Sequence, residues 1–190
     1  MLKGRVAFFA TGNVHKFNEA RHVLADFGIA VALLRVKALE IQSDSLKAIS
    51  EVSALDASKR CRLPVFVEDA GLFIKALNGF PGPYSAYIFR TIGVRGILKL
   101  MKGVKTRDAY FKSVISFCDP EGPLECFHGQ VDGLISCERR GNQGFGFDPI
   151  FKPSGGPTET FAEMSIARKG EFSHRAQALR KFAEWFKSVR

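Results

Sequence analysis

The sequence predicts a single α/β domain that spans residues 1–190. The chain opens with an apolar run, a tight turn and a segment of helical periodicity, the pattern of a strand that feeds a helix. Further apolar runs alternate with helical segments, and two long apolar stretches flank a turn typical of a β-hairpin. A chain of this length buries roughly 70% of the surface that its unfolded form exposes, which is enough for a proper core.

The first half of the chain divides into strands, helices and one stiff turn. Two prolines and two glycines within Gly79–Pro83 exclude regular helix there, because they fix or free the backbone in ways that break the helical ladder. The acidic pair Glu68–Asp69 bounds a short apolar strand. The predicted elements are a strand at Val6–Ala10, a helix from Phe17 to Phe27, a strand at Ala30–Val36, a helix at Leu46–Cys61, and strands at Val65–Val67 and Phe73–Leu77.

The second half contains the strongest hairpin signal. Ala109–Cys118 and Leu124–Val131 are strand-like and flank the turn Asp119–Gly122. The Gly- and Pro-rich stretch Arg139–Pro157 predicts a long loop, interrupted by the apolar patch Pro149–Phe151. Two helices complete the chain: one over Ile97–Met101, and a last one with Ser173 as N-cap and Leu179, Phe182, Ala183 and Phe186 on one face.

Composition narrows the class of protein. No stretch approaches the roughly 18 consecutive apolar residues of a membrane span, and the first residues lack the apolar length of a signal peptide, so we expect a cytoplasmic protein. The four cysteines form no CxxC pair, which disfavours a zinc or redox site. The formal charge of +9 draws anionic partners, and nucleotides, nucleic acids and anionic lipid all fit that charge.

The segment Thr11–Lys16 lies where the first strand feeds the first helix. Such a junction directs free backbone N–H groups and the positive end of the helix dipole toward an anion. The residues are Thr11, Gly12, Asn13, Val14, His15 and Lys16, and they contain no Walker A loop. A phosphate cradle and a simple Thr or Asn helix cap both fit this pattern.

The acidic pair Glu68–Asp69 is a candidate metal site. Successive strand side chains point to opposite faces, so only one of the two carboxylates enters a given site. Asp69 is the better candidate, because the small Ala70 and Gly71 beside it let a ligand approach the backbone, and Glu40 offers a second oxygen ligand. The alternative is a pair of solvated charges at a strand end.

Two further segments suit an aromatic, anionic ligand. Gly144–Pro149 places Phe145 and Phe147 between glycines, which favours stacking on a flat ring, although a packing loop fits equally well. Ser173–Arg175 resembles a helix start whose His174 and Arg175 meet an anion, and Ser173 alone also fits as an N-cap. No GxSxG elbow is present, which disfavours a Ser-His-Asp hydrolase.

Five motifs in order resemble the inosine triphosphate pyrophosphatase family. They are TGNVHK at 11–16, EIQ at 40–42, VEDAGLFIKALNGFPGPYSA at 67–86, GFGFDPIF at 144–151, and AEM at 162–164 followed by Lys169 and by SHR at 173–175. The stretch 85–101 is most similar to the archaeal branch. The resemblance implies an elongated central mixed sheet flanked by helices, two lobes with a nucleotide cleft between them, and a homodimer.

The resemblance also implies the reaction and its residues. A non-canonical purine nucleoside triphosphate (XTP, ITP or dITP) and water give the monophosphate and pyrophosphate, with Mg²⁺ required and Mn²⁺ left open as a substitute. Glu40 and Asp69 would hold the metal, and Asp69 and Lys16 would be catalytic, Asp69 as proton acceptor for the attacking water. The substrate-binding positions are Thr11, Gly12, Asn13, Val14, His15, Lys16, Ala70, Phe145, Gly146, Phe147, Asp148, Lys169, His174 and Arg175.

Three positions depart from the family pattern. Ala70 stands where Ser is common, Ser53 where the preceding helix usually carries Lys, and Tyr87 where many bacterial relatives carry Arg.

Two other function classes are weighed against this one. A basic nucleic-acid-binding module is motivated by the charge, but Lys and Arg are scattered rather than clustered, so we expect neither nucleic acid nor a membrane as partner. A phosphatase or nucleotide-binding regulator would use the same cradle and metal residues, and its product would differ.

Overall fold

Seven strands and six α-helices make up the part of the chain that the computed structural model describes, residues 5–155 and 158–189. The strands are β1 (Arg5–Ala10), β2 (Ile29–Leu34), β3 (Val65–Ile74), β4 (Pro81–Gly82), β5 (Asp108–Cys118), β6 (Leu124–Ile135) and β7 (Phe151–Pro153). The helices are α1 (Val14–Ala25), α2 (Leu46–Cys61), α3 (Ser85–Thr91), α4 (Gly93–Leu100), α5 (Ile166–Phe172) and α6 (His174–Val189).

All strands belong to one mixed sheet in the order β2-β1-β3-β5-β6-β7, with β4 paired to β3. β1 runs parallel to β2 and β3, and the remaining neighbours are antiparallel. The predicted α/β class with a central mixed sheet and flanking helices is therefore confirmed. The two lobes stay a prediction.

One edge of β3 is open at the point where β1 ends. β1 pairs with β3 only at Phe8↔Val65 and Phe9↔Phe66, and β4 first pairs at Leu72↔Gly82. Between these contacts β3 carries Glu68 and Asp69, and it has a strand partner there only on its other side, β5. The side chain of Lys16, in α1, reaches this gap and donates to the Glu68 carbonyl oxygen.

The two faces of the sheet are covered by different helices. α1 and α6 pack on one face, where a cluster of aromatic and aliphatic side chains includes Phe9, Phe66 and Phe182. α2 packs on the opposite face against Val65 and Val67. A third cluster, around Phe111 and Phe151, fills the far end of the sheet.

Most predicted elements are confirmed. α2 has the predicted bounds, and the hairpin of β5 and β6 pairs from Cys118↔Leu124 to Asp108↔Leu134. The predicted N-cap of α6 is also confirmed, because the Ser173 hydroxyl accepts from the Ala176 amide at 3.1 Å. Among the described residues, no helix is long and apolar enough to cross a membrane.

The prediction that Glu68–Asp69 ends a strand was wrong. β3 continues through both carboxylates to Ile74, paired with β5 along its whole length, and Lys75–Leu77, predicted as strand, is a 3-10 turn. The strand tolerates Glu68 because distant cations neutralise it, which local sequence does not reveal.

Smaller differences occur elsewhere. The predicted strand Ala30–Val36 begins and ends earlier, as β2. The predicted loop Arg139–Pro157 contains a 3-10 turn at Asp148–Ile150 and strand β7, while its residues 156 and 157 lie outside the described part.

We predict that Phe182→Ala lowers the free energy of unfolding by about 3–5 kcal/mol, because the ring is fully buried and contacts Phe66, Phe117 and Phe127. Urea unfolding followed by circular dichroism measures the loss. Leu55→Ala is the control, since Leu55 is an exposed residue of α2, and it should change stability by no more than about 0.5 kcal/mol. Equal losses in the two variants would contradict this packing.

Candidate functional site

The junction of β1 and α1 is built as a helix cap with free amides beside it. The Asn13 side chain accepts from the His15 and Lys16 amides at 2.9 and 3.2 Å, and the Thr11 hydroxyl accepts from the Asn13 amide at 3.1 Å. Within residues 5–155 and 158–189, the Gly12 and Val14 amides have no hydrogen-bond partner. The two readings of this segment are therefore compatible, since a capped helix still presents free N–H groups to an anion.

Lys16 connects this junction to β3. Its ammonium forms an ion pair with Glu68 Oε2 at 2.8 Å and donates to the Glu68 carbonyl oxygen at 3.0 Å. The side chain keeps 18% of its exposure, so it reaches the open edge of β3 while still meeting solvent. The structure thus brings together Lys16 and the acidic pair, which the sequence analysis had named as separate candidates.

Glu68 is the neutralised member of the acidic pair. Its carboxylate is ion-paired to Lys16 and to Arg175 Nε at 3.1 Å, and it accepts from the Ser113 hydroxyl at 2.5 Å. Burial alone would raise the pKa of Glu68, but the charges of Arg175 and Lys16 outweigh burial and hold this pKa well below its usual range. Glu68 is therefore a permanent anion that fixes its cationic partners.

Asp69 faces the other side of the sheet and is not neutralised. Its Oδ2 atom is buried and has no hydrogen-bond partner among the residues that the structure describes. Burial raises the pKa of Asp69 to about 6; Lys16 opposes this rise, and the charges of Glu68 and Glu40 add to it. A buried carboxylate oxygen without a donor is costly, so this atom fits a metal ion or a proton.

Glu40 is close enough to Asp69 to raise its pKa, although it lies on the loop after β2. No group of three or more His, Cys, Asp or Glu residues suited to a metal occurs in the described residues. Two carboxylates without further protein ligands fit Mg²⁺, which usually keeps several waters and binds substrate phosphates. Ser53, which stands where the family usually has Lys, donates to the Leu39 carbonyl oxygen at 2.9 Å. This hydrogen bond connects the loop that carries Glu40 to α2.

A buried charge network lies on the α1 and α6 side of the sheet. Lys169 contacts Glu19 at 2.8 Å and Asp148 at 2.6 Å, and Arg175 contacts the second Glu19 oxygen at 2.5 Å. Burial would raise the pKa of Glu19, yet Arg175 and Lys169 lower it to about 2. For Asp148, burial prevails over Lys169, and the pKa is raised.

Phe145 lies over these cations. Its ring centroid is 5.1 Å from Lys169 Nζ and 5.3 Å from Arg175 Cζ, and the His15 ring stacks on it at 5.2 Å. Its amide donates to Asp148 Oδ2 at 2.9 Å, which holds the turn. An aromatic ring beside two fixed donors is a suitable surface for a purine.

Phe147 and His174, also predicted to bind the substrate, pack in the interior of the protein instead of facing the site as Phe145 does. Phe147 is buried in the core and meets Phe89 edge-on at 5.5 Å, so the glycine-rich segment both packs and faces the site. His174 is buried and stacks on Phe111 at 4.7 Å. Burial, with the charge of Arg175, lowers the pKa of His174 well below its usual range, so it does not meet an anion as a cation.

Sequence reasoning missed Glu19 and Ser113. Glu19 lies on the buried stripe of α1 together with Ala20 and Val23, and an acidic residue on such a stripe is the signal that could have found it. Ser113 interrupts an apolar strand in the same way. Gly129 was also missed: a Cβ there would collide with the His174 carbonyl oxygen, so glycine lets α6 begin against the sheet.

We predict that Glu19→Gln lowers the free energy of unfolding by about 3–5 kcal/mol, because it leaves Lys169 and Arg175 short of one buried countercharge. The native pKa near 2 lies below the ordinary 4.5, so Glu19 stabilises the fold above pH 4.5 and this contribution is lost as pH falls toward 2. Urea titrations at several pH values should show a shallower acid dependence in the variant. Glu184→Gln, at an exposed position of α6, should match the wild type.

The chain is similar to several known proteins along nearly its whole length. A 51% identical relative from Methanopyrus kandleri, named dITP/XTP pyrophosphatase, aligns over 95% of both chains. A relative of the same name from Thermococcus kodakarensis is 50% identical over 94% of this chain and 96% of its own. The solved structure of a HAM1 protein from Coxiella burnetii superposes with a TM-score of 0.84 at 27% identity, covering 97% of this chain and all of that one.

The resemblance inferred from the five motifs is therefore confirmed. The model of the Ham1 family matches residues 7–185, which include the cradle, the acidic pair and the charge network. This chain belongs to the Ham1 family.

Proposed function

We propose that this protein hydrolyses non-canonical purine nucleoside triphosphates (dITP, XTP and ITP) to the nucleoside monophosphate and pyrophosphate. The observation that carries the proposal is Asp69, a half-buried residue whose buried Oδ2 atom has no hydrogen-bond partner among the described residues and which lies near Lys16 of α1 and Glu40. The names of the archaeal relatives support the same reaction.

Glu40 and Asp69 are the residues that would hold Mg²⁺. The unpartnered Asp69 Oδ2 and the proximity of Glu40 fit an oxygen-bound cation. When bound, Mg²⁺ neutralises charge on the phosphate oxygens and orients them for in-line attack.

The chain's own groups supply the proton acceptor and the countercharges. Asp69, with a pKa near 6, is ionised at neutral pH and basic enough to accept the proton of a water attacking the α-phosphorus. Lys16 is ion-paired to Glu68, the neighbour of Asp69 in the strand, and its side chain is partly exposed. Its ammonium therefore stabilises the negative charge that develops on the departing pyrophosphate. Water is the nucleophile, and no Ser or Cys is required.

Selection of the base rests on hydrogen-bond sign. A 6-keto purine presents an acceptor at O6, where adenine presents a donor. Arg175 and Lys169 carry only donors and are held in place by Glu19. A mismatched base leaves buried groups unpaired, which is worth roughly 10⁴ to 10⁵ in specificity.

The proposal includes a homodimer and a cytoplasmic location, as the family resemblance implies. Light scattering of the purified protein measures the first, and cell fractionation the second.

The proposed reaction predicts which phosphate product is released. With Mg²⁺, we expect dITP, XTP and ITP to release pyrophosphate and no orthophosphate, and ATP and GTP to be poor substrates. Asp69→Asn should lose at least about 100-fold in kcat with folding preserved, because the variant cannot accept the proton. Coupled assays for pyrophosphate and orthophosphate measure both outcomes.

Asp26→Asn is the matched control, since Asp26 is exposed at the end of α1. Orthophosphate as product, or full activity in Asp69→Asn, would contradict the proposal.

The raised pKa of Asp69 predicts how Mg²⁺ binding depends on pH. Because the pKa of Asp69 is raised to about 6, protons compete with Mg²⁺ at pH 6 and below, and the apparent Mg²⁺ affinity should fall by about tenfold per pH unit there. Above pH 7 it should be flat. Isothermal titration calorimetry from pH 5 to 8 measures this; an affinity that does not change with pH would exclude Asp69 as the ligand.

A further inference from the structure

The sheet face that carries Asp69 continues past Val114 to polar residues of β5 and β6 that meet solvent, while the backbone of Gly82 covers the β3 end of this row at Gly71. Directly opposed strand residues share a face, and the register aligns Asp69 with Val114 and His128. The next row on this face is Gly71, Lys112 and Gln130. Gln130 is exposed and Lys112 is half-buried, whereas Val114 beneath α2 is fully buried.

Lys112 is a diagonal neighbour of Asp69 across β3 and β5. Such positions are separated by about 7–8 Å, which long side chains bridge. Lys16 approaches Asp69 from the open edge of β3, and Lys112 stands on the opposite, β5 side. Asp69 therefore lies between two lysines that come from different elements.

Lys112 has no ion-pair or hydrogen-bond partner among residues 5–155 and 158–189. Glu51 is ion-paired with Lys47 at 3.6 Å, and Asp132, the diagonal neighbour of Lys112 across β5 and β6, accepts from the Gln130 side-chain amide at 3.1 Å and keeps its charge. Lys112 is half-buried as a residue, and its ammonium, without an ion-pair partner in the described part of the chain, is available to an anion.

The surroundings of Lys112 are positive. Burial lowers the pKa of His128, and the charges of Lys112, Lys47 and Lys181 lower it further. The imidazole that faces this surface is therefore biased toward its neutral form, and the lysines dominate the local field. An anion placed beyond Asp69 meets the positive charges of Lys112, Lys47 and Lys181, against those of Glu51 and Asp132.

We propose that Lys112 binds the phosphate chain of the substrate on the β5 side of Asp69, contacting the part that departs as pyrophosphate. This inference rests on the proposed function for the identity of the substrate. Its observations are the shared face, the diagonal register and the unpaired ammonium. Lys16 and Lys112 then hold the triphosphate from both sides of the carboxylate that accepts the proton.

The test is binding of Mg²⁺-pyrophosphate and of inosine monophosphate, measured by calorimetry on the intact protein. Lys112→Met keeps the length of the side chain and removes its charge, and it should weaken pyrophosphate binding by about 10- to 100-fold, the effect of losing one charge-assisted hydrogen bond. Monophosphate binding should be unchanged, and Lys112→Arg should recover most of the affinity. Lys152→Met, a half-buried lysine on β7, is the matched control.

Three outcomes would overturn the inference. They are wild-type pyrophosphate affinity in Lys112→Met, an equal loss for pyrophosphate and monophosphate, which marks a structural role, and no pyrophosphate binding by the wild type. The proposed function fails separately, if the wild type releases no pyrophosphate from dITP, XTP or ITP. With activity present, Lys112→Met should also lower kcat/KM for dITP by about 10- to 100-fold, and Lys152→Met should not.

Discussion

The structure depends on a network of buried charges that joins five elements, four of them strands or α-helices and the fifth the 3-10 turn at Asp148–Ile150. Glu19 of α1 and Glu68 of β3 share Arg175 of α6, and Lys169 of α5 joins Glu19 to Asp148. Each of these ions alone would cost several kcal/mol to bury, and the network is stable only because every charge faces an opposite one. Removing one member strands another, so the network fixes the relative positions of the helices around the site.

The network separates two neighbouring carboxylates into different roles. Glu68 points into it and its pKa is held low, while Asp69, one residue along the strand, points to the other face and its pKa is raised. The pleat of a strand is sufficient to produce this difference, because it reverses the environment at each residue. Opposed pKa shifts in adjacent acids leave Glu68 ionised among its cations and make Asp69 the more readily protonated of the two.

Elements with strong local patterns could be predicted from the sequence, and elements set by distant charges could not. The helix Leu46–Cys61 follows its apolar spacing, and the hairpin follows its turn. The predicted strand ends too early, before Glu68, because the cations that neutralise Glu68 lie 52 and 107 positions away, at Lys16 and Arg175. The positions of Glu19 and Lys112 relative to the site depend on the buried face of α1 and on the register of β3 and β5, so they could not be predicted from the local sequence.

The position of the site follows from the topology of the sheet. β1 lies between β2 and β3, and the helices that follow β1 and β2 pack on opposite faces, so the chain reverses direction across the sheet at β1. The carboxyl ends of parallel strands open a crevice at such a reversal. Here β1 stops pairing with β3 after Phe9↔Phe66 and leaves the edge of β3 open at Glu68 and Asp69. The same step delivers the start of α1, with its free amides and Lys16, to that edge. The start of α1 and the carboxylate pair therefore meet because of strand order, and the charge network then sets which of the two carboxylates remains available.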